Sequence, residues 1–397
     1  MAPSPTDLPP PSITPSPPGV AVGSPRQATL RDFLDELLWP TLLRAGAMSL
    51  RPERIAIAYV TLLLISLAMH LARLAPGAPE LLAGAGSLLA DHTQRAKDAV
   101  LHLAPAELAS AFTSYAAALA SLIRQSPWAA LACALPWLLI APVGAAAICR
   151  LTAIETAHRV MAAWPVGVGF SLRAAKAAIL AVLAPLILVA LGVLALAVAG
   201  AAIFSVGPVG VVGAIFYVLA LAAAAGLVLL AAGWLLGLPL LVPSVACEGP
   251  DPIDAVQRVL AYLVGRPLRL AAYSLVLIAE LVILAAVVNA IVHATLDLAA
   301  WSLSRFAGPE AAAALAGGQD DLAGAWKSAA RIIRFWREAF LGLVPAVVFS
   351  FVCAGWTIAY LLVRQLHDGQ DRAEIWMPGM IPGTLARTSA ADDDDDE

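Results

Sequence analysis

Leu270–Leu296 reads LAAYSLVLIAELVILAAVVNAIVHATL, framed by Arg269 and Asp297 and interrupted by one charged residue, Glu280. Strand-like alternation of polar and apolar residues is absent. At about 1.5 Å per residue this run, as a helix, exceeds the ~30 Å hydrocarbon thickness of a bilayer. A chain in lipid must satisfy its backbone internally, so the run is expected to be a transmembrane helix. Five other stretches meet the same test: Ile55–Leu74, Trp128–Cys149, Ala177–Phe204, Val209–Leu236 and Phe340–Val363. Composition agrees, since 61% of the 397 residues are hydrophobic and 13% are charged. Soluble domains carry about 25% charge. The mean hydropathy is +0.84. The expected fold is all-α, a polytopic bundle of six spans over 29–377, and a nucleic-acid binder or a disulfide-framed module is excluded.

The flanks differ from this bundle. Nine prolines fall before Arg26 with no apolar signal core, so 1–28 reads as a disordered tail. Asp392–Glu397 are all acidic, and 378–397 reads as a second disordered tail. The net charge of −4 comes from that run, because the rest of the chain has 24 basic residues against 22 acidic ones. With the N-terminus inside, 15 Lys and Arg fall in cytoplasmic segments and eight in outer ones, and the short turn Ser205–Pro208 has none. Both termini are therefore expected on the cytoplasmic side of an inner membrane. Thr29–Ala45 places Leu30, Phe33, Leu34, Leu37, Leu38 and Leu42 on one face, the pattern of a helix lying on the membrane surface. Ala106–Arg124 and Leu322–Glu338 read as interfacial helices in the two outer loops.

Few residues offer chemistry. Glu280 lies near the middle of its span, where an unpaired carboxylate is costly. It would serve either as a proton- or cation-coupling group or as a protonated carboxyl bonding a neighbouring helix. Asn289 and His293 share one face of the same helix, about half a turn away from Glu280, and helix-to-helix bonding is the expected role of Asn289. Lys327, Arg331 and Arg334 form a basic stripe suited to lipid headgroups or simply to water. Cys133, Cys149, Cys247 and Cys353 show no metal-binding spacing and read as small core residues. No HExxH, GxSxG, Walker A or GxGxxG motif occurs, so neither an enzyme nor a cofactor is expected.

Two stretches echo one another. ICRLTAIETAHRVMAAWPVGVGFSLRAAK (148–176) and VPSVACEGPDPIDAVQRVLAYLVGRPLRL (242–270) each run from a span through Pro/Gly punctuation and a basic amphipathic helix into the next span. In the second, Asp251 and Asp254 suit a helix N-terminus, and Ala255, Val259 and Tyr262 share a face. The stretch 245–270 resembles the membrane domain attached to some glycerophosphodiester phosphodiesterases. GAAAICRLTAIETA (144–157), IIRFWREAFLGLVPAVVFSF (332–351) and YLLVRQLHDGQDRAEIW (360–376) resemble multi-pass membrane proteins of planctomycete-like bacteria. These resemblances imply the architecture and carry no activity over. The sequence thus points to a scaffold that organises lipid or protein partners, either as a homo-oligomer or with another membrane protein. The alternative is a permease-like subunit built around Glu280.

Overall fold

The computed structural model describes residues 39–102, 104–204, 213–215, 217–316 and 324–380. The expected tail at 1–28, residues 381–397 of the expected tail at 378–397, and the Ser205–Pro208 turn lie outside them, while Met380 is described and bonds Trp376 and Met377. Thirteen α-helices are described: α1 (Arg44–Ser49), α2 (Pro52–Ala72), α3 (Ala78–Leu101), α4 (Pro105–Gln125), α5 (Pro127–His158), α6 (Trp164–Arg173), α7 (Ala175–Phe204), α8 (Tyr217–Glu248), α9 (Pro252–Gly265), α10 (Pro267–Ser304), α11 (Pro309–Ala316), α12 (Gly324–Leu341) and α13 (Leu343–Asp368). No strand occurs among the described residues. Six stretches are long and apolar enough to cross a membrane: α2, α5, α7, α8, α10, and α12 running into α13. The all-α polytopic layout is therefore the fold. Prolines set several starts, occupying the first helical position of α2, α4, α5, α9 and α10 and the second of α6, where their missing N–H is not needed.

The centre of the bundle is α13, which packs against α1, α2, α5, α8, α9 and α10. Lipid tails are as apolar as leucine, so helices associate there through close packing, which small residues permit. Ala346, Ser350, Ala354, Gly355, Thr357 and Ala359 of α13 are all buried. A β-carbon at Gly355 would lie 2.9 Å from Leu277 Cδ2, so this position sets how closely α10 approaches. In contrast, Leu188, Leu191, Leu194 and Val198 of α7 and Val218, Val228 and Leu229 of α8 are more than half exposed. Those faces are apolar because their solvent is lipid.

Several expectations change in detail. The fourth span does not end at Leu236; α8 continues through Pro239 and Pro243 to Glu248. Its last turns are buried from Leu240 to Glu248, so packing against α5 and α13 carries the helix past both prolines. Of the expected surface helix Thr29–Ala45, residues 29–38 lie outside the described ones. The described remainder is a 3-10 turn, Trp39–Thr41, leading to α1. Leu42, Ala45, Met48 and Ser49 are buried, and Ser350 Oγ donates to Ser49 O at 2.9 Å. This segment packs into the bundle instead of resting on its surface. The loop between α2 and α5 contains α3 as well as the expected α4, paired as a hairpin. Gly233 and Gly237 pack on α9, where a β-carbon at Gly237 would meet Val259 Cγ1 at 2.6 Å.

Candidate functional site

Glu280, on α10, accepts a hydrogen bond from Gly46 N at 2.8 Å through Oε1. Gly46 is in the first turn of α1, where backbone N–H groups have no partner within the helix. No side chain local to α1 supplies that cap, and Glu280 does so from a helix far away in sequence. Glu280 Oε2 is buried without a hydrogen-bond partner. A β-carbon at position 46 would lie 2.7 Å from Oε1, so a larger residue there would make the Glu280 carboxylate shift. Glu280 is therefore a link between α10 and α1. His293 Nδ1 is 2.9 Å from Asn289 O, and both residues are exposed. The expected helix-to-helix bond from Asn289 is not made among the described residues, because its face of α10 meets no other span there. Lys327, Arg331 and Arg334 are all exposed on α12. Arg334 Nε reaches Glu338 at 2.7 Å, and Arg331 Nη2 reaches Ser328 Oγ at 3.3 Å.

The larger polar constellations gather where α5, α8 and α13 end and α2 begins. Glu155 of α5 bridges two cations: its Oε1 meets Arg51 Nη2 and its Oε2 meets Arg54 Nη2, each at 2.6 Å. Arg54 also donates to Met48 O at 2.7 Å, tying α1 to the same point. At the end of α8, Glu248 Oε1 accepts from Arg364 Nη1 at 2.7 Å and from Tyr360 Oη at 3.0 Å. Tyr360 in turn accepts from Ser244 Oγ at 3.2 Å. The Arg364 side chain is 0% exposed, and its Nη2 donates to the carbonyls of Asp371 and Glu374 beyond the helix.

Those two bonds hold a C-terminal strap, 369–380, across the end of the bundle. Trp376 N donates to Cys247 O at 2.7 Å. Arg150 donates to Ala246 O at 3.0 Å and lies 5.0 Å from the Phe170 ring centre and 5.9 Å from that of Trp376. Gly249, at φ +103°, leaves room for that tryptophan. Beside the strap, Asp251 caps α9 by accepting from Ile253 N and Asp254 N. Arg258 meets Asp254 at 2.7 Å, Asp368 at 3.5 Å and Glu248 at 4.0 Å. Burial works against its charge, but the Asp254 bond and the Glu248 carboxylate outweigh that and hold the guanidinium above its usual pKa. Tyr262 donates to Asp368, and burial together with that bond pushes its hydroxyl above the ordinary range.

No family model, curated protein or solved structure matches this chain. The recesses among the spans are apolar. One of about 630 Å³ lies between α2, α5 and α6, walled by Val60, Leu64, Ile140, Val143, Val168 and Leu172. A second, of about 560 Å³, lies where α2 meets α12 and α13. A third, of about 320 Å³, is bounded by Pro142, Pro239 and Pro243. These volumes match the roughly 300–1,000 Å³ of sites for small organic molecules.

Sequence reasoning singled out Glu280 but not its partner, and missed the Glu155 and Glu248 nodes. A signal was present. Glu155 and Glu248 each end an apolar run, and Arg51, Arg54 and Arg364 end others, so their pairing depended only on which helices are neighbours.

Proposed function

We propose that this chain is a non-enzymatic inner-membrane protein with both termini in the cytoplasm, which organises lipid or protein partners within the bilayer. The observation that carries this reading is the character of its recesses, which are lined mostly by apolar side chains and open among membrane-crossing helices. The polar groups, by comparison, join helices: Glu280 holds α1, Glu155 holds α2 and Glu248 holds α13. The excess of basic residues in the segments assigned to the cytoplasm supports the orientation.

A second reading, a permease-like subunit, is favoured by one observation, the buried and unpartnered Oε2 of Glu280. Glu280→Gln separates the two. A glutamine carbonyl still accepts from Gly46 N, so the link to α1 survives while the titratable group is lost. In proteoliposomes loaded with a pH-sensitive dye, the organising role predicts no proton or sodium flux in either protein. A flux abolished by Glu280→Gln at normal protein levels would refute it. A periplasmic reporter active after residue 150 or 250 would overturn the orientation.

A further inference from the structure

The apolar groove between α2, α5 and α6 ends at Pro52 and Glu53, next in sequence to an ion-pair cluster that joins α2 to α5. Glu155 is shared by Arg51 and Arg54, so the trio carries one uncompensated positive charge. Arg54 is buried, leaving the excess at Arg51, whose side chain is 32% exposed. Arg51 Nε is buried without a hydrogen-bond partner, and Nη1 meets only the thioether of Met161, a weak acceptor. Glu53 lines the same recess and forms no ion pair among the described residues. Pro52 and Glu53 mark one end of the groove, and Leu64 and Ile140 lie deeper along the spans. Trp164, 55% exposed, stands at the start of α6, a short helix with exposed Val166 and Leu172 like those that lie in the membrane interface. Tryptophan is enriched at that depth.

We propose that this groove is a phospholipid site: one acyl chain lies along α2 and α5 beneath α6, the phosphate meets Arg51, and the ammonium of an ethanolamine headgroup meets Glu53. Nη2 is committed to Glu155, so Nη1, which a thioether answers poorly, is the donor a phosphate oxygen would take. The carboxylate beside it repels a second negative charge, so a zwitterionic headgroup fits better than an anionic one. The site deepens the lipid-organising reading and rests on it for its biological use.

The test is native mass spectrometry of the full chain, delipidated in mild detergent and titrated with palmitoyl-oleoyl phosphatidylethanolamine. Parallel titrations use the phosphatidylglycerol analogue, palmitate and inorganic phosphate. The expected result is one tightly held phosphatidylethanolamine, several-fold weaker binding of phosphatidylglycerol, and no comparable binding of palmitate or phosphate alone. Ala56→Trp, which fills the groove, and Arg51→Gln should each weaken binding about tenfold, with Arg51→Lys recovering part of it. Glu53→Gln should narrow the preference between headgroups. Leu194→Trp, on an exposed face of α7, should change nothing. Equal lipid retention across all variants would overturn the proposal. So would palmitate or phosphate binding as well as the whole lipid, or wild-type protein that takes up none because another segment or a second copy fills the groove. Lipid loss in Ala56→Trp without ion flux fits the site, and a Glu280-dependent flux with the groove lipid retained refutes only the organising role.

Discussion

Removing Arg364 attacks the point where the most elements meet. In Arg364→Ala, Glu248 stays buried, 2% exposed, and keeps only the Tyr360 hydroxyl and the distant Arg258, 4.0 Å away. Breaking a buried ion pair from one side costs about 3–5 kcal/mol, because the remaining charge is uncompensated. The carbonyls of Asp371 and Glu374 also lose their donor, but water reaches these partly buried bonds and replaces much of it. A total near 4 kcal/mol is therefore expected, nearly three orders of magnitude in the folding equilibrium. The double variant Glu248→Gln with Arg364→Met removes both charges together and should be less damaging than Arg364→Ala alone, a non-additivity that identifies the pair. Sodium dodecyl sulfate titration in mixed micelles, followed by circular dichroism, measures the stabilities. Trypsin cleavage at Arg372 reports the strap, which should open in both variants. An Arg364→Ala protein within about 0.5 kcal/mol of wild type, the scatter of surface substitutions, would refute the reasoning. So would unchanged cleavage at Arg372.

Tyr262 yields a pH prediction. Burial and the Asp368 bond raise its pKa in the native state, so the native protein holds that proton more tightly than the unfolded chain, whose tyrosines titrate near about 10. Its stabilisation is complete below about pH 10 and declines as pH rises through the native value. The stability difference between wild type and Tyr262→Phe should be flat through neutral pH and shrink above about 10; a difference that grows there contradicts the assignment. At the α8–α9 contact, Gly237→Ala should cost about 1–3 kcal/mol by overpacking against Val259. Adding Val259→Ala should restore much of that loss in the same titration, and a harmless Gly237→Ala would show that the contact yields easily.

The fold was legible because lipid imposes a simple condition on composition. Runs such as Ala177–Phe204 have no charge and no alternation, and a helix is the form that closes their backbone bonds without water. The α9 cap and its buried face were legible for a local reason: Asp251 bonds N–H groups two and three residues on, and Ala255, Val259 and Tyr262 follow helical spacing. Span ends were harder to read. Pro239 and Pro243 mark a stop in most helices, and only the burial around them carries α8 to Glu248.

The candidate sites divide in the same way. Sequence alone determined that the chain is a helical membrane protein and placed Glu280 within a span, where a carboxylate must be protonated, paired or facing water. It did not determine that the partner is Gly46 N, a backbone group with no signature in composition. Nor could it join Glu155 to Arg51 and Arg54, or Glu248 to Arg364, since those residues are separated by 101 to 116 positions. Periodicity reports which face of a helix avoids water. Which helix lies against that face depends on how closely small residues such as Gly355 and Gly237 let neighbours approach, and that packing places the charges together and leaves the groove between α2, α5 and α6.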